Sequence, residues 1–142
     1  MTEPGVGRGK LCSLDEMRCE AESLARELQA GAVVWLTGEV GSGKTTFVQA
    51  LAGALGVEHA RSPTFSLVNE YEGAGTLIHV DCYRLKAPAE AIDLDFPDLT
   101  RRASVLAIEW PERGGRFVPM PDVHLAFGHT ADPNNRILER VR

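Results

Sequence analysis

One stretch of the chain matches the pattern G-x-x-x-x-G-K-[ST] at every defined position, and it reads Gly38-Glu39-Val40-Gly41-Ser42-Gly43-Lys44-Thr45. Its glycines leave no side chain between backbone and ligand, so successive N–H groups can converge on an anion. Lys44 then supplies a charge for the β and γ phosphates, and the Thr45 hydroxyl can complete the shell of a Mg²⁺ ion. The motif predicts a binding site for a nucleoside triphosphate with Mg²⁺.

The residues on either side of this stretch have the patterns that such a motif requires. Residues 32–37 form an apolar run typical of a strand, and apolar residues at helical spacing follow the motif, namely Phe47, Val48, Leu51, Ala54 and Leu55. A loop between a strand and a helix places the bound phosphates at the helix N-terminus, where backbone N–H groups lack partners within the helix.

Two carboxylates follow apolar strands elsewhere in the chain, Asp81 after residues 77–80 and Glu109 after residues 104–108. A phosphate-binding loop needs a carboxylate at the end of a neighbouring strand to hold the Mg²⁺ shell. Glu109 follows the more apolar strand, so we expect it to serve the metal, directly or through water. Asp81 could orient the attacking water or serve the metal. For either acid, the alternative is a helix cap or a surface position.

The spacing leaves the roles of two other residues open. Thr64 lies in the loop Ser62-Pro63-Thr64, where its hydroxyl could sense the γ-phosphate, but a plain turn fits equally well. Arg84, three residues past Asp81, could neutralise phosphate charge or pair with a surface acid. No arginine stands out as an arginine finger, so we expect the isolated chain to hydrolyse the nucleotide slowly.

Strand and helix patterns alternate along the whole chain. A capping box at residues 13–16 opens a first helix that reaches Gln29, and two alternating runs at 65–71 and 76–80 predict a hairpin. Short helices are expected after Pro88 and at 97–102, and further strands at 104–108, 123–127 and 136–141. These patterns predict a three-layer α/β P-loop NTPase fold with a mixed, mostly parallel sheet. We expect one domain, residues 1–142, with residues 1–10 as a flexible lead-in.

Composition excludes several classes of protein. The chain has 142 residues, a net charge of −5 and scattered basic residues, which argues against strong direct binding of nucleic acid. Its three cysteines form no C-x-x-C pair and share no metal-ligand spacing with the histidines, so a zinc site is not expected. No run of 18 apolar residues and no signal-peptide pattern occurs, so we expect a cytoplasmic protein without a membrane partner.

Four motifs together resemble one family. The succession GEVGSGKTTF, SPTFSLVNEY, HVDCYRL and IEWPE, within about residues 13–140, resembles the TsaE (YjeE) family. The resemblance implies ATP and Mg²⁺ as cofactors, with Thr45 and Glu109 serving the metal. It implies that Lys44, Asp81 and a switch-like loop carrying Thr64 take part in hydrolysis. The resemblance places Ser13 and Arg136 near the adenine. The implied nucleotide-binding residues are Ser13, Glu39, Val40, Gly41, Ser42, Gly43, Lys44, Thr45, Thr46 and Arg136. Trp110 resembles the tryptophan beside the family's site, or packs in the ordinary way.

The resemblance also implies a function. It implies that ATP hydrolysis supports threonylcarbamoylation of adenosine 37 in tRNA together with the partner proteins TsaB and TsaD. Two alternatives stay open. One is a small-molecule kinase with Asp81 as the base, although little chain is left for an acceptor pocket. The other is a nucleotide-dependent assembly switch whose hydrolysis is incidental. The stretch at residues 93–97 lacks a glycine that the resemblance leads us to expect.

Overall fold

A computed structural model describes residues 9–59 and 67–142 of the chain. The strands are β1 (Gly9–Ser13), β2 (Ala32–Gly38), β3 (Val57–His59), β4 (Val68–Gly73), β5 (Thr76–Asp81), β6 (Val105–Glu109), β7 (Val123–His129) and β8 (Asn135–Arg140). The α-helices are α1 (Leu14–Glu27), α2 (Lys44–Ala54) and α3 (Phe96–Arg102), and 3₁₀ turns occur at Pro88–Leu94, Pro111–Arg113 and Gly115–Phe117. None of the helices in these two ranges is long and apolar enough to span a membrane.

The described strands form one sheet in the order β1-β8-β7-β2-β6-β5-β4-β3. Its four central strands run parallel, which gives three parallel pairings, and the two edges add four antiparallel pairings. The sheet is mixed, as predicted, but the prediction that it is mostly parallel is wrong. The predicted β4–β5 hairpin and the β7–β8 pair join consecutive strands by short turns, a connection that antiparallel strands allow and parallel strands do not.

Helices cover both faces of the sheet. The helices α1 and α2 pack on one face through a cluster of buried side chains that includes Leu24 and Leu51. The 3₁₀ turn at 88–94 and α3 pack on the other face through a second cluster that includes Phe96 and Leu99. Strand β6 is buried at all of its positions. This agrees with its continuous apolar run, which is typical of a parallel strand covered on both faces.

The N-terminal strand β1 differs from the sequence-based expectation. Gly9 and Lys10 pair with β8, so the expectation of a flexible lead-in is wrong for these two residues. The strand is short and glycine-containing, which hides its alternation, and it forms because β8 offers an edge to pair with. The strand ends at Ser13, which also caps α1. Its hydroxyl accepts the N–H of Glu16 at 3.2 Å, which confirms the predicted capping box.

The stretch at residues 93–97 adopts a left-handed turn without a glycine. Asp95 has φ 54° and ψ 62° and occupies the position before α3. Aspartate tolerates this region better than most residues, because its short polar side chain can bond to the nearby backbone. The Asp95 Oδ1 atom accepts the backbone N–H of Asp98 at 3.3 Å. The aspartate thus supplies both the turn conformation and the helix cap.

The pleat of β5 and β6 decides which side chains face α2. Leu77 and Val105 belong to the cluster beneath α1 and α2. Because side chains alternate along a strand, His79 and Asp81 of β5 and Glu109 of β6 lie on that same face. Asp81 and Glu109 are paired in register across the two parallel strands. The two candidate acids therefore lie side by side at the carboxyl edge of the sheet.

Candidate functional site

The glycine loop, residues 38–45, connects β2 to α2 as the motif predicts. Gly38, Gly41 and Gly43 have φ values of 138°, 79° and 102°, in the region that favours glycine. A Cβ atom at Gly38 would also overlap the backbone carbonyl of Phe127 on β7. Glycine is therefore required at this strand end by conformation and by the close approach of β7. The turn brings the first N–H groups of α2 to the mouth of the site.

Lys44 is the first residue of α2 and is only 4% exposed. Its ammonium group donates to the carbonyl oxygen of Gly38 and lies 3.5 Å from that of Glu39. The ring of Trp110 covers it, with the Nζ atom 4.2 Å from the ring centroid. Burial lowers the pKa of Lys44, and nearby carboxylates, Glu109 above all, oppose that effect. Two carbonyl oxygens and an aromatic face thus hold the ammonium group at the site. Phosphate oxygens could take the place of the carbonyl oxygens.

Glu109 forms a buried polar centre with two neighbours. Its Oε2 atom lies 3.0 Å from the Thr45 hydroxyl and 2.5 Å from Nε2 of His79. Burial by itself raises the pKa of the Glu109 carboxyl, but the hydrogen bond and charge of His79, with smaller contributions from Thr45 and Lys44, more than offset it. The pKa therefore lies below its usual value and the group is a carboxylate. A carboxylate only accepts, so Thr45 and His79 both donate to it.

Asp81 ends β5 beside this centre. Its Oδ1 atom accepts the backbone N–H of Tyr83 at 3.0 Å, so the carboxylate also holds the turn that follows the strand. The side chain is half-buried. Within the described residues, no hydrogen bond engages the second carboxylate oxygen of Asp81. Asp81 therefore faces the site with one oxygen fixed and the other available to a ligand or to water.

The predicted residues converge on a cavity of about 280 Å³. It is lined by Leu14, Met17, Val40, Gly41, Gly43, Lys44, Thr45, Thr46, Asp81, Tyr83, Glu109, Trp110 and Arg136. Three members of the predicted set are not in this lining: Ser13, Glu39 and Ser42. Ser13 caps α1, and its neighbours Leu14 and Met17 reach the cavity instead. Thr64, the predicted switch residue, lies outside the described residues.

Two polar atoms beside the cavity have no hydrogen bond within the described residues. They are the hydroxyl oxygen of Ser42, whose residue is fully buried, and the Nε atom of Arg136. The NH1 group of Arg136 is held by the carbonyls of Pro133 at 2.6 Å and Asn135 at 2.9 Å. Buried polar groups without partners are rare, because each loses its hydrogen bonds to water. Of the two residues, Arg136 lines the cavity, where a polar ligand could come close to it.

A second, larger cavity of about 690 Å³ is also lined by Asp81. It shares Thr45, Asp81 and Tyr83 with the smaller cavity, and His79 also lines it. The rest of its lining comes from α2, β3, β4 with the residue before it, and the turn after β5, namely Gln49, His59, Leu67, Asn69, Tyr71 and Arg84. Asp81 thus lines two cavities, each able to receive part of a ligand.

Comparison with protein families identifies the chain. The family model described as threonylcarbamoyl adenosine biosynthesis protein TsaE matches residues 11–138. The chain belongs to the TsaE family. The protein named tRNA threonylcarbamoyladenosine biosynthesis protein TsaE in Aquifex aeolicus is 47% identical over 97 residues, 66% of this chain and 68% of that protein. The protein of the same name in Treponema pallidum is 36% identical over 132 residues, 85% of this chain and 98% of that protein.

A solved structure shares the fold of this TsaE-family chain. It is a crystal structure of YdiB from Bacillus subtilis, which superposes with a TM-score of 0.70 at 24% identity and covers 94% of this chain and 87% of that one. At this identity the likeness shows the fold alone. It supports the α/β architecture with its mixed sheet.

Sequence reasoning missed two residues of the TsaE-family site. His79 is 4% exposed and bonds to Glu109, although the sequence analysis gave it no role. Strand alternation was the signal available, since His79 stands two residues before Asp81 and must share its face. Tyr83 lines both cavities, and its ring lies 5.0 Å from that of Trp110. Tyr83 lies within the motif HVDCYRL, but the motif alone assigned no role to the ring.

Proposed function

We propose that this TsaE-family chain is a Mg²⁺-dependent ATPase that supports the synthesis of threonylcarbamoyladenosine at position 37 of tRNA, acting with partners of the TsaB and TsaD type. The observation that carries the proposal is the convergence of Lys44, Thr45, Asp81 and Glu109 on one cavity at the N-terminus of α2. The names of its relatives support the pathway. The motif and its place between β2 and α2 support a P-loop NTPase fold.

The residues present suit Mg²⁺. Thr45 offers a hydroxyl and Glu109 an ionised carboxylate, 3.0 Å apart, and Mg²⁺ prefers such oxygen ligands. Within the described residues, no group of three or more acidic, histidine or cysteine side chains could hold a metal ion alone. The rest of the shell would come from phosphate oxygens and water, as is usual for Mg²⁺. The bound ion would neutralise charge that develops on the β and γ phosphates.

The protein groups divide the remaining work. Lys44 exchanges the carbonyls of the glycine loop for phosphate oxygens and balances their charge. Asp81, with one oxygen fixed by Tyr83, uses the other to orient the attacking water. His79 keeps the carboxylate of Glu109 ionised and fixed in orientation. Catalysis in such a site comes from positioning and electrostatic stabilisation, because the protein forms no covalent bond to the phosphate.

The acidic net charge of the chain is compatible with partner proteins. The net charge of −5 suits contacts with proteins better than direct binding of tRNA, whose phosphates would be repelled. We expect slow turnover by the isolated chain, with a partner completing or ordering the site. Fast hydrolysis by the isolated protein would contradict this expectation.

The test is phosphate release from Mg²⁺-ATP by the purified protein, alone and with TsaB and TsaD, measured together with formation of modified tRNA. Asp81→Asn removes the orienting carboxylate at nearly constant volume and should abolish turnover while ATP still binds. Asp93→Asn, the same change at an exposed position, is the matched control. Turnover that is raised by the partners and lost only in Asp81→Asn supports the proposal. An Asp81→Asn protein that modifies tRNA normally would support the assembly switch instead.

The larger cavity favours a second candidate function. The sequence left little chain for an acceptor pocket, yet a space of about 690 Å³ adjoins Asp81 and Thr45. A hydroxylated small molecule placed there could receive the phosphoryl group, with Asp81 as the base. A screen of hydroxylated metabolites decides between the two functions. Consumption of ATP in equal amount to a phosphorylated product would support the kinase.

A further inference from the structure

The turn after β5 projects two side chains beside the reacting centre. Asp81 accepts the N–H of Tyr83, and the carbonyl of Cys82 accepts the N–H of Leu85 at 3.0 Å. These two bonds fix a tight turn with Tyr83 and Arg84 at its corners. Arg84 lines the larger cavity together with Thr45 and Asp81. A guanidinium at this place stands on the side of the site where the γ-phosphate of a nucleotide held by the glycine loop would end.

Two other arginines near the site are engaged by groups of the smaller cavity or of its neighbouring turn. The guanidinium of Arg113 lies against the Tyr83 and Trp110 rings, 5.2 and 5.4 Å from their centroids. Arg136 is bonded to two carbonyls beside the apolar part of the smaller cavity, lined there by Leu14 and Met17.

Arg84, in contrast, is exposed, and within residues 9–59 and 67–142 it takes part in no hydrogen bond or ion pair. This disfavours the alternative that Arg84 simply pairs with a surface acid.

We propose that Arg84 is a catalytic residue that contacts the γ-phosphate during ATP hydrolysis, an inference that rests on the proposed function. In that reaction the water oxygen bonds to the γ-phosphorus while the bond from that phosphorus to the bridging oxygen breaks. ADP leaves with the bridging oxygen, and the proton of the water passes to phosphate or solvent. Arg84 exchanges no proton, because a guanidinium stays charged in proteins. It balances the charge that spreads over the phosphoryl oxygens.

The free state of Arg84 would also account for the slow turnover that we expect of the isolated chain. An exposed arginine without partners must lose side-chain freedom before it can act on the phosphate. A partner protein that covers the larger cavity would order it in advance. The stimulation that we expect from partners would then arise from an arginine of this chain and would need no arginine supplied by the partner.

The experiment compares wild type with Arg84→Ala, Arg84→Lys and the control Lys86→Ala. The control removes the same charge two residues along, from an exposed position outside both cavities. The readouts are Mg²⁺-ATP turnover, the affinity for ATP, and the affinity for ADP with aluminium fluoride. Aluminium fluoride imitates the phosphoryl group in transfer. Arg84→Ala should lower turnover and aluminium fluoride affinity by roughly 100-fold, the usual cost of one transition-state donor. Its ATP affinity should change by less than about threefold, because the contact forms in the transition state.

Two further readouts separate catalysis from folding. Guanidinium ion at millimolar concentration should restore part of the turnover of Arg84→Ala and leave Lys86→Ala unchanged. Arg84→Lys should fall between wild type and Arg84→Ala, because lysine keeps the charge but loses the planar fork. The inference about Arg84 would be overturned if Arg84→Ala turned over ATP as fast as Lys86→Ala does. It would also be overturned if Arg84→Ala lost affinity for ATP and for ADP with aluminium fluoride equally. Neither result would contradict the proposed ATPase activity. Wild type without any ATP turnover would overturn the proposed ATPase itself.

Discussion

Replacing His79 by leucine should destabilise the protein more than the same replacement of a buried histidine with a neutral partner. His79 donates to the carboxylate of Glu109 at 2.5 Å, and the two side chains are only 5% and 4% exposed. The replacement leaves the buried carboxylate with the Thr45 hydroxyl and the nearby charge of Lys44. A hydrogen bond to a charged group contributes about 1.5–3 kcal/mol to stability. We expect His79→Leu to lower the free energy of unfolding by about this amount.

The chain offers a matched control in His124. Its Nε2 atom lies 2.9 Å from the hydroxyl of Thr37, a neutral partner, and the pair is part-buried. A hydrogen bond between neutral groups contributes about 0.5–1.5 kcal/mol, so His124→Leu should cost less. Urea unfolding followed by circular dichroism gives both values. Glu109→Gln, combined with His79→Leu in a double-mutant cycle, isolates the energy of the pair from changes in packing.

The same variants test the function of the pair. Partners that orient a metal ligand typically affect metal affinity by about 10–100-fold, so His79→Leu should weaken Mg²⁺ binding to the ATP complex by that order. His124→Leu should leave it unchanged. Equal stability losses in the two leucine variants, with a coupling energy below about 0.5 kcal/mol, would refute the argument that His79 stabilises the charge of Glu109.

Three other outcomes are expected from single changes. Lys44→Ala should weaken ATP binding in titration calorimetry by at least about tenfold, since it removes a charge-assisted contact with phosphate, and unchanged affinity would count against the whole assignment. Gly38→Ala should lower the free energy of unfolding by about 2–4 kcal/mol, through backbone strain and overlap with a neighbouring carbonyl. Gly31→Ala is the control, because a Cβ there meets nothing within 4 Å and only the backbone strain remains. At pH 8 a thiol reagent should label Cys19 rapidly and Cys82 only on unfolding, because burial raises the pKa of Cys82 to about 12.

Much of the candidate site could be predicted from the sequence because its parts are local. The glycine loop and its flanking strand and helix lie within one continuous segment, and the pattern defines their chemistry without tertiary contacts. Glu109 and Asp81 were predicted from their places after apolar strands, and the structure sets them side by side. The edges of the sheet were harder to predict. Strand β3 has only three residues, and β1 is recognisable only through its pairing with β8.

The sequence by itself determined the phosphate-binding motif, the two acids and the family, since contiguous residues carry these signals. Tertiary structure alone decided which distant side chains meet there. His79 reaches Glu109 across 30 residues, and Thr45 reaches it across 64. Arg136 comes to the glycine loop only because β8 pairs beside β7. Such contacts depend on strand order and register. No local pattern encodes these, because they are determined by pairing between chain segments that are far apart in sequence.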